Sequence, residues 1–231
     1  MYLRGGVNFL ENGLTANLRA MHLDTEIMAV TNDNINGFDK IGYQRKAPVV
    51  SSFAEFMGVH ALSTATDNTV GRLGMSDNPL DLALANKGYF QSVDKNGSVK
   101  LSRDGRFKLD NNGNLITLNN ERVLANDGTT IKLPFLPEKL NDVKIDFDGN
   151  IRVINRKTNK QQYVSTLSVV TDNGVAVIEP NVRQGYNEFS NVSLATEFME
   201  AVPVMRNFDA NRILYQMQKS TLTKAIQQLG G

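Results

Sequence analysis

The sequence predicts an α+β protein: N- and C-terminal helices that pair as a coiled-coil-like inner domain, with a central all-β domain of antiparallel hairpins between them. Three observations predict it. Apolar residues recur every three or four positions near the N-terminus, the same spacing returns over the last part of the chain, and between the two the period drops to two. Within that middle stretch, Asn-Gly and Asp-Gly pairs separate short runs of Val, Ile, Leu and Phe, which is the strongest local signal for hairpins.

Residues 1–38 form the first half of the inner domain. Val7, Leu10, Leu14, Leu18, Met21, Ile27 and Met28 make an amphipathic pattern, with Val7, Leu14, Met21 and Met28 in a strict seven-residue row that suits a partner helix. The stretch NDNINGF, residues 32–38, reads as the stop of this helix. Asn, Asp and Gly tolerate the left-handed conformation that ends helices, which assigns a positive φ to Gly37. Phe38 either anchors the turn in an apolar seam between layers or tucks into its own domain. Residues 39–79 show no sustained period and read as an extended connector, long enough to be packed or functional.

Residues 80–185 form the all-β outer domain. Turns are predicted at Asn96-Gly97, Asp104-Gly105, Asn112-Gly113, Asp127-Gly128, Asp148-Gly149 and Asn173-Gly174. Residues 190–231 form the second helical half. Its apolar positions are Leu194, Phe198, Ala201, Met205, Phe208, Leu214, Met217, Leu222, Ile226 and Leu229, with Ser193 as the cap and Glu197 in the following turn. Both helical stripes are wider than one pairing needs, and the excess points to association with other chains.

Composition narrows the function. The chain has 231 residues, 41% of them hydrophobic, which is enough to bury a core. Lys and Arg total 25 against 24 Asp and Glu, so no bulk field attracts nucleic acid or an anionic membrane surface. With no cysteine there is no thiol nucleophile, disulfide or Cys-ligated zinc. His22 and His60 lack neighbours at metal-ligand spacing. Asp146, Asp148 and Asn150 alternate like the start of a calcium loop, but Ile151 stands where that loop needs glycine, and a hairpin turn accounts for them. Gly5-Gly6 lacks the context of a phosphate-binding loop, and Arg156, Lys157 and Lys160 read as a solvated hairpin tip. No catalytic set, cofactor site or metal site is expected, nor any membrane-spanning segment or cleaved secretory signal.

Four ordered stretches resemble the bacterial flagellar axial proteins of the rod and hook. The Asn-rich stop ending in Gly-Phe is matched by Asn32, Asn34, Gly37 and Phe38. NPLDLALANKGYF, residues 78–90, is similar to the family's strand entering the β domain, through Leu80, Asp81, Gly88 and Phe90. SRDGRFKLDNNGNLIT, residues 102–117, is similar to the signature Thr-Arg-Asp-Gly-x-Phe-x-Leu-Asp-x-x-Gly-x-Leu, with Ser102 replacing Thr. SNVSLATEFMEAVPVMRNFDAN resembles the C-terminal helix, with Asn191, Val192, Glu197, Arg206, Phe208, Ala210 and Asn211 in register. The chain departs from the pattern at Met28, Ala29 and Asp39, and at Pro203 inside the C-terminal helix.

The resemblance implies a structural subunit of the flagellar basal-body rod that self-assembles into a helical tube and transmits torque to the hook. A single β domain favours the distal rod, with a one-domain proximal rod subunit or a divergent non-flagellar binding module as alternatives. It further implies export through the flagellar type III apparatus without a cleaved signal peptide, a periplasmic location in the basal body, and partners among neighbouring rod and hook proteins and the rings around the rod. The expected self-assembly interface comprises Val7, Leu10, Leu14, Leu18, Met21, Met28, Gly37, Phe38, Phe198, Met205, Phe208, Leu214, Met217, Leu222, Ile226 and Leu229.

Overall fold

The computed structural model describes residues 4–50 and 62–229, with side chains of the first helix from residue 13 onward. Helices α1 (Arg4–Gly37) and α2 (Leu194–Leu229) flank an antiparallel β region, the predicted α+β order. Two compact units result. One comprises residues 1–36, 46–67 and 192–231, and the other residues 37–45 and 68–191. No helix among the described residues is long and apolar enough to cross a membrane.

In the helical unit, α2 spans the range its periodicity predicts. Ser193 caps it: its Oγ accepts the Thr196 N–H at 3.4 Å and its carbonyl accepts the Glu197 N–H at 3.0 Å. Ser193→Ala should therefore lower helical-unit stability by about 1 kcal/mol, read as earlier loss of far-ultraviolet helical signal on heating. Pro203 lies inside the helix without ending it; the proline leaves the Met199 carbonyl without its usual helical donor.

Helix α1 overruns its expected stop. NDNING stays helical to Gly37, and Gly37 does not adopt a positive φ. The reversal comes later, at Gly42 with φ +70°. The weak helix propensity of Asn is overridden by tertiary bonds, chiefly those of the buried Asn34. The stretch expected as a connector also contains regular structure. Strands β1 (Lys46–Val50) and β2 (Leu62–Thr66) pair antiparallel, with Lys46 opposite Thr66 and Val50 opposite Leu62, and belong to the helical unit. Residues 73–75 pair with 186–188 in the β unit.

The β unit is built from hairpins around one core. A six-stranded antiparallel sheet includes Tyr89–Val93, Val99–Ser102, Phe107–Leu109 and Leu115–Thr117, and a three-stranded sheet holds Val143–Ile145, Asn150–Asn155 and Lys160–Thr166. Leu82, Leu84, Phe90, Phe107, Ile131 and Ile151 are among the core side chains, and the Phe90 and Phe107 rings meet edge to face at 5.2 Å.

The hairpin turns share one design. At Asp94–Ser98 the Gly97 N–H bonds the Asp94 carbonyl (3.2 Å) and the Asp94 N–H bonds the Ser98 carbonyl (3.1 Å), while the Asp94 carboxylate accepts the N–H groups of Asn96 and Ser98. The same closure recurs at Asp110–Asn114 and Asp146–Asn150. These are three-residue loops, a type I turn followed by a left-handed glycine, rather than two-residue turns. Positive φ accordingly falls on Gly97, Gly113, Gly128, Gly149 and Gly174 but not on the Asn or Asp before them. The Asp146 site is thus a turn. Asp104-Gly105 is not: Gly105 lacks a positive φ, and a Cβ there would lie 1.9 Å from the Leu82 carbonyl oxygen. Close backbone approach, not reversal, requires that glycine.

At the centre of this unit lies a buried ion pair. The Arg103 Nε donates to both Glu188 carboxylate oxygens at 2.9 and 2.7 Å, with Nη2 2.6 Å from Oε2. Nη1 donates to the Asn86 and Gly88 carbonyls and Nη2 to the Leu84 carbonyl, while Glu188 also accepts the Gly71 N–H. One side chain thereby ties the 78–90 stretch to the 102–117 stretch and to the unit's last strand.

Candidate assembly surfaces

The face of α2 turned inward is read from burial. Leu194, Glu197, Ala201, Val204, Phe208, Asn211, Tyr215, Gln218, Leu222 and Ala225 are buried or half-buried, at alternating steps of three and four, while their neighbours other than Thr196 are exposed. This is a heptad seam. Its partner is α1, through bonds from Asn17 Nδ2 to Gln218 Oε1 (3.1 Å), Asn211 Nδ2 to Asp24 Oδ2 (3.4 Å) and Asn34 Nδ2 to Glu197 Oε2 (3.0 Å). Asn17 to Asp24 is a step of seven forward, and Gln218 to Asn211 a step of seven backward. Polar residues at such seam positions fix the antiparallel register at a cost in stability. Burial pushes the Asp24 carboxyl up, and the bond from Asn211 pulls it back.

The expected interface residues therefore separate. Phe208 and Leu222 lie on the intrachain seam, and Leu14, Met21 and Met28 are half-buried on α1. Phe198 (56% exposed), Met205, Leu214, Met217 (62%) and Ile226 stand off the seam on α2, Leu229 continues the seam row but is exposed at the helix end, and Leu18 is exposed on α1. Met199, Val202 and Ile213 are exposed apolar residues of α2 as well, without having been picked out from the sequence. The side chains of Val7 and Leu10 lie outside the described residues. Gly37 is buried, and Phe38, which falls in the β unit, is 44% exposed and so not tucked into its own domain. The polar seam itself was not legible. Asn34 and Glu197 were visible as motif residues, but nothing local says that a helix pair uses them as its contact.

Among the described residues no group of three or more acidic, histidine or cysteine side chains could hold a metal ion. His22 lies beside Glu26 one turn away, a surface contact. Arg156 closes two bonds on Asp142, both at 2.7 Å, and holds that carboxyl below its usual range. The hairpin tip is thus partly self-neutralised.

Comparison with known proteins agrees with a structural reading. Residues 83–153 match the model of the flagellar hook protein FlgE/F/G D1 domain. The chain is 28% identical over 209 residues to flagellar basal-body rod protein FlgF of Rhizobium meliloti (strain 1021), covering 84% of this chain and 83% of that protein. It is 27% identical over 175 residues to the rod protein FlgG of Bacillus subtilis (strain 168), covering 64% and 62%, so that less than two thirds of that relative's length is spanned. With the flagellar hook protein FlgE of Escherichia coli (strain K12) it shares 35% identity over 102 residues, 44% of this chain and 25% of that protein. These matches support a flagellar rod and hook axial protein family, whose members are structural proteins and not enzymes. The matched segment takes in Phe90 and Phe107 of the aromatic core and Arg103 of the ion pair, while its partner Glu188 lies outside it.

Proposed function

We propose that this chain is a structural subunit of the flagellar basal-body rod that self-assembles through its paired terminal helices. The observation that carries the reading is the exposed apolar surface of α2. Phe198, Met205 and Ile226 share one heptad row beside the seam and remain exposed, as does Met217, after the intrachain seam is formed, and large apolar side chains left in water mark a surface that is covered in the working state. Copies of the same chain and neighbouring rod and hook proteins are the proposed partners. The polar intrachain seam fixes how each subunit pairs its own helices, leaving the apolar face for others. Phe38 is proposed as a second contact, between layers. Location in the periplasmic part of the basal body, contact with surrounding rings and export through the flagellar apparatus are proposed with it.

Within the rod, the single β unit supports the distal position. A proximal subunit with one β domain is the alternative, and immunogold labelling of purified basal bodies would separate the two. For the assembly itself, deletion of residues 212–231 removes Leu214, Met217, Leu222, Ile226 and Leu229. The expected result is loss of the long oligomers that the full chain forms at high concentration, seen by sedimentation and electron microscopy, with the melting transition of the β unit unchanged. Oligomers of normal length from the shortened chain would defeat the reading.

A further inference from the structure

We propose that Asn34 and Glu197 form a coupling device that docks the β1–β2 hairpin only when α1 and α2 are paired. Asn34 is fully buried in the last turn of α1. Its Nδ2 donates both to the Lys46 carbonyl (2.8 Å) and to Glu197 Oε2 (3.0 Å), and its Oδ1 accepts the Lys46 N–H (2.9 Å). The carboxamide thus treats Lys46 as a neighbouring strand would, bonding both its donor and its acceptor. Lys46 is the first residue of β1 and sits opposite Thr66, the last of β2, so this is the root of the hairpin. The exposed Lys46–Asp33 ion pair at 3.6 Å adds little to that anchorage.

The NH₂ group of Asn34 is what makes the device conditional. Lys46 fixes which way the carboxamide faces, its carbonyl on the NH₂ and its N–H on the oxygen, and the NH₂ has a second N–H to place in a buried site. Glu197 Oε2 accepts from that NH₂ at 3.0 Å and holds the carboxamide from the α2 side. Glu197 comes from the first turn of α2, is 1% exposed, and reaches this position only when α2 lies against α1. Separation of the helices removes that acceptor and loosens the carboxamide on which Lys46 is docked. The hairpin, whose Val49 and Val50 are exposed, is then freed at its root. A subunit presents this hairpin in a fixed place after its helices have paired, and not before.

The test uses the full chain at a concentration where it is monomeric, so it stands apart from the outcome of the assembly experiment. Site-resolved amide hydrogen exchange is read at Lys46, with the β-unit melting temperature as control. Glu197→Ala should accelerate Lys46 exchange about ten- to a hundredfold, the loss expected when a buried bonded group is left without its partner. Glu197→Gln, which keeps an acceptor oxygen, should stay within about threefold of the parent, and the β-unit melt should be unchanged in both. Val204→Asp opens the seam two turns further along α2. It should accelerate exchange at Lys46 together with the α1 and α2 amides. Lys46 exchange at the parent rate in Glu197→Ala, or at the parent rate in Val204→Asp while the helix amides exchange faster, overturns the coupling. If Glu197→Ala loses its helical signal altogether, Val204→Asp decides on the same readout.

Discussion

Arg103→Met is expected to destabilise the β unit by about 3–5 kcal/mol, the usual consequence of removing one partner of a buried ion pair. The side chains of Arg103 and Glu188 are 1% and 3% exposed, so water cannot replace the lost guanidinium. Glu188 keeps only the Gly71 N–H among the bonds described, and the carbonyls of Leu84, Asn86 and Gly88 lose their donors together. For a unit of this size the loss should appear as a fall of roughly 10–20 °C in its melting temperature. Arg103→Lys retains the charge but not the fork that reaches a carboxylate and three carbonyls at once, and should recover only part of the loss. Arg103→Met combined with Glu188→Leu should be more stable than Arg103→Met alone, because it no longer buries an unpaired carboxylate. Calorimetry of the three variants checks the order; a single-variant melt within a few degrees of the parent would show that the pair is not what holds these strands.

Much of this fold is legible in the sequence because its signals are local. The 3.6-residue period of α2 and the cap at Ser193 are written within neighbouring residues. So are the glycines at 97, 113, 128, 149 and 174, where positive φ is needed. What is hidden depends on distant partners. Nothing local in SRDGRF marks Arg103 as buried, and only the approach of Glu188, 85 residues away, makes it a centre. Gly105 has the dipeptide signature of a turn, yet its reason is the backbone of Leu82. The α2 seam is hidden from a count of apolar residues alone, because the packed face contains Glu197, Asn211 and Gln218. A pattern of hydrophobicity finds the face that avoids water in the final assembly, and that need not be the face packed within one chain.

The same distinction between local and distant causes governs the second large effect, expected for Gly42→Ala. Its φ of +70° is one that L side chains rarely adopt, and its N–H donates to the Glu188 carbonyl at 2.7 Å, which holds the conformation in place. A Cβ built there would lie 2.3 Å from the Asp104 nitrogen and 2.6 Å from the Arg103 carbonyl carbon. Left-handed strain alone costs about 1–3 kcal/mol, and the obstruction is backbone, which cannot swing aside, so the total should reach about 3 kcal/mol or more. Gly42→Asn separates the two causes. Asn tolerates the left-handed region but carries the same Cβ, so it should be nearly as damaging as Ala. At Gly37, where the sequence placed the reversal, φ is outside that region and an added Cβ would meet the Tyr43 ring at 2.5 Å. A side chain can turn away, so Gly37→Ala should cost less than Gly42→Ala, and Gly37→Asn should gain nothing over it. Thermal melts of the four variants give the ranking. A Gly42→Asn protein as stable as the parent would reduce the requirement at this position to conformation, and a Gly37→Ala protein worse than Gly42→Ala would return the chain reversal to the end of α1.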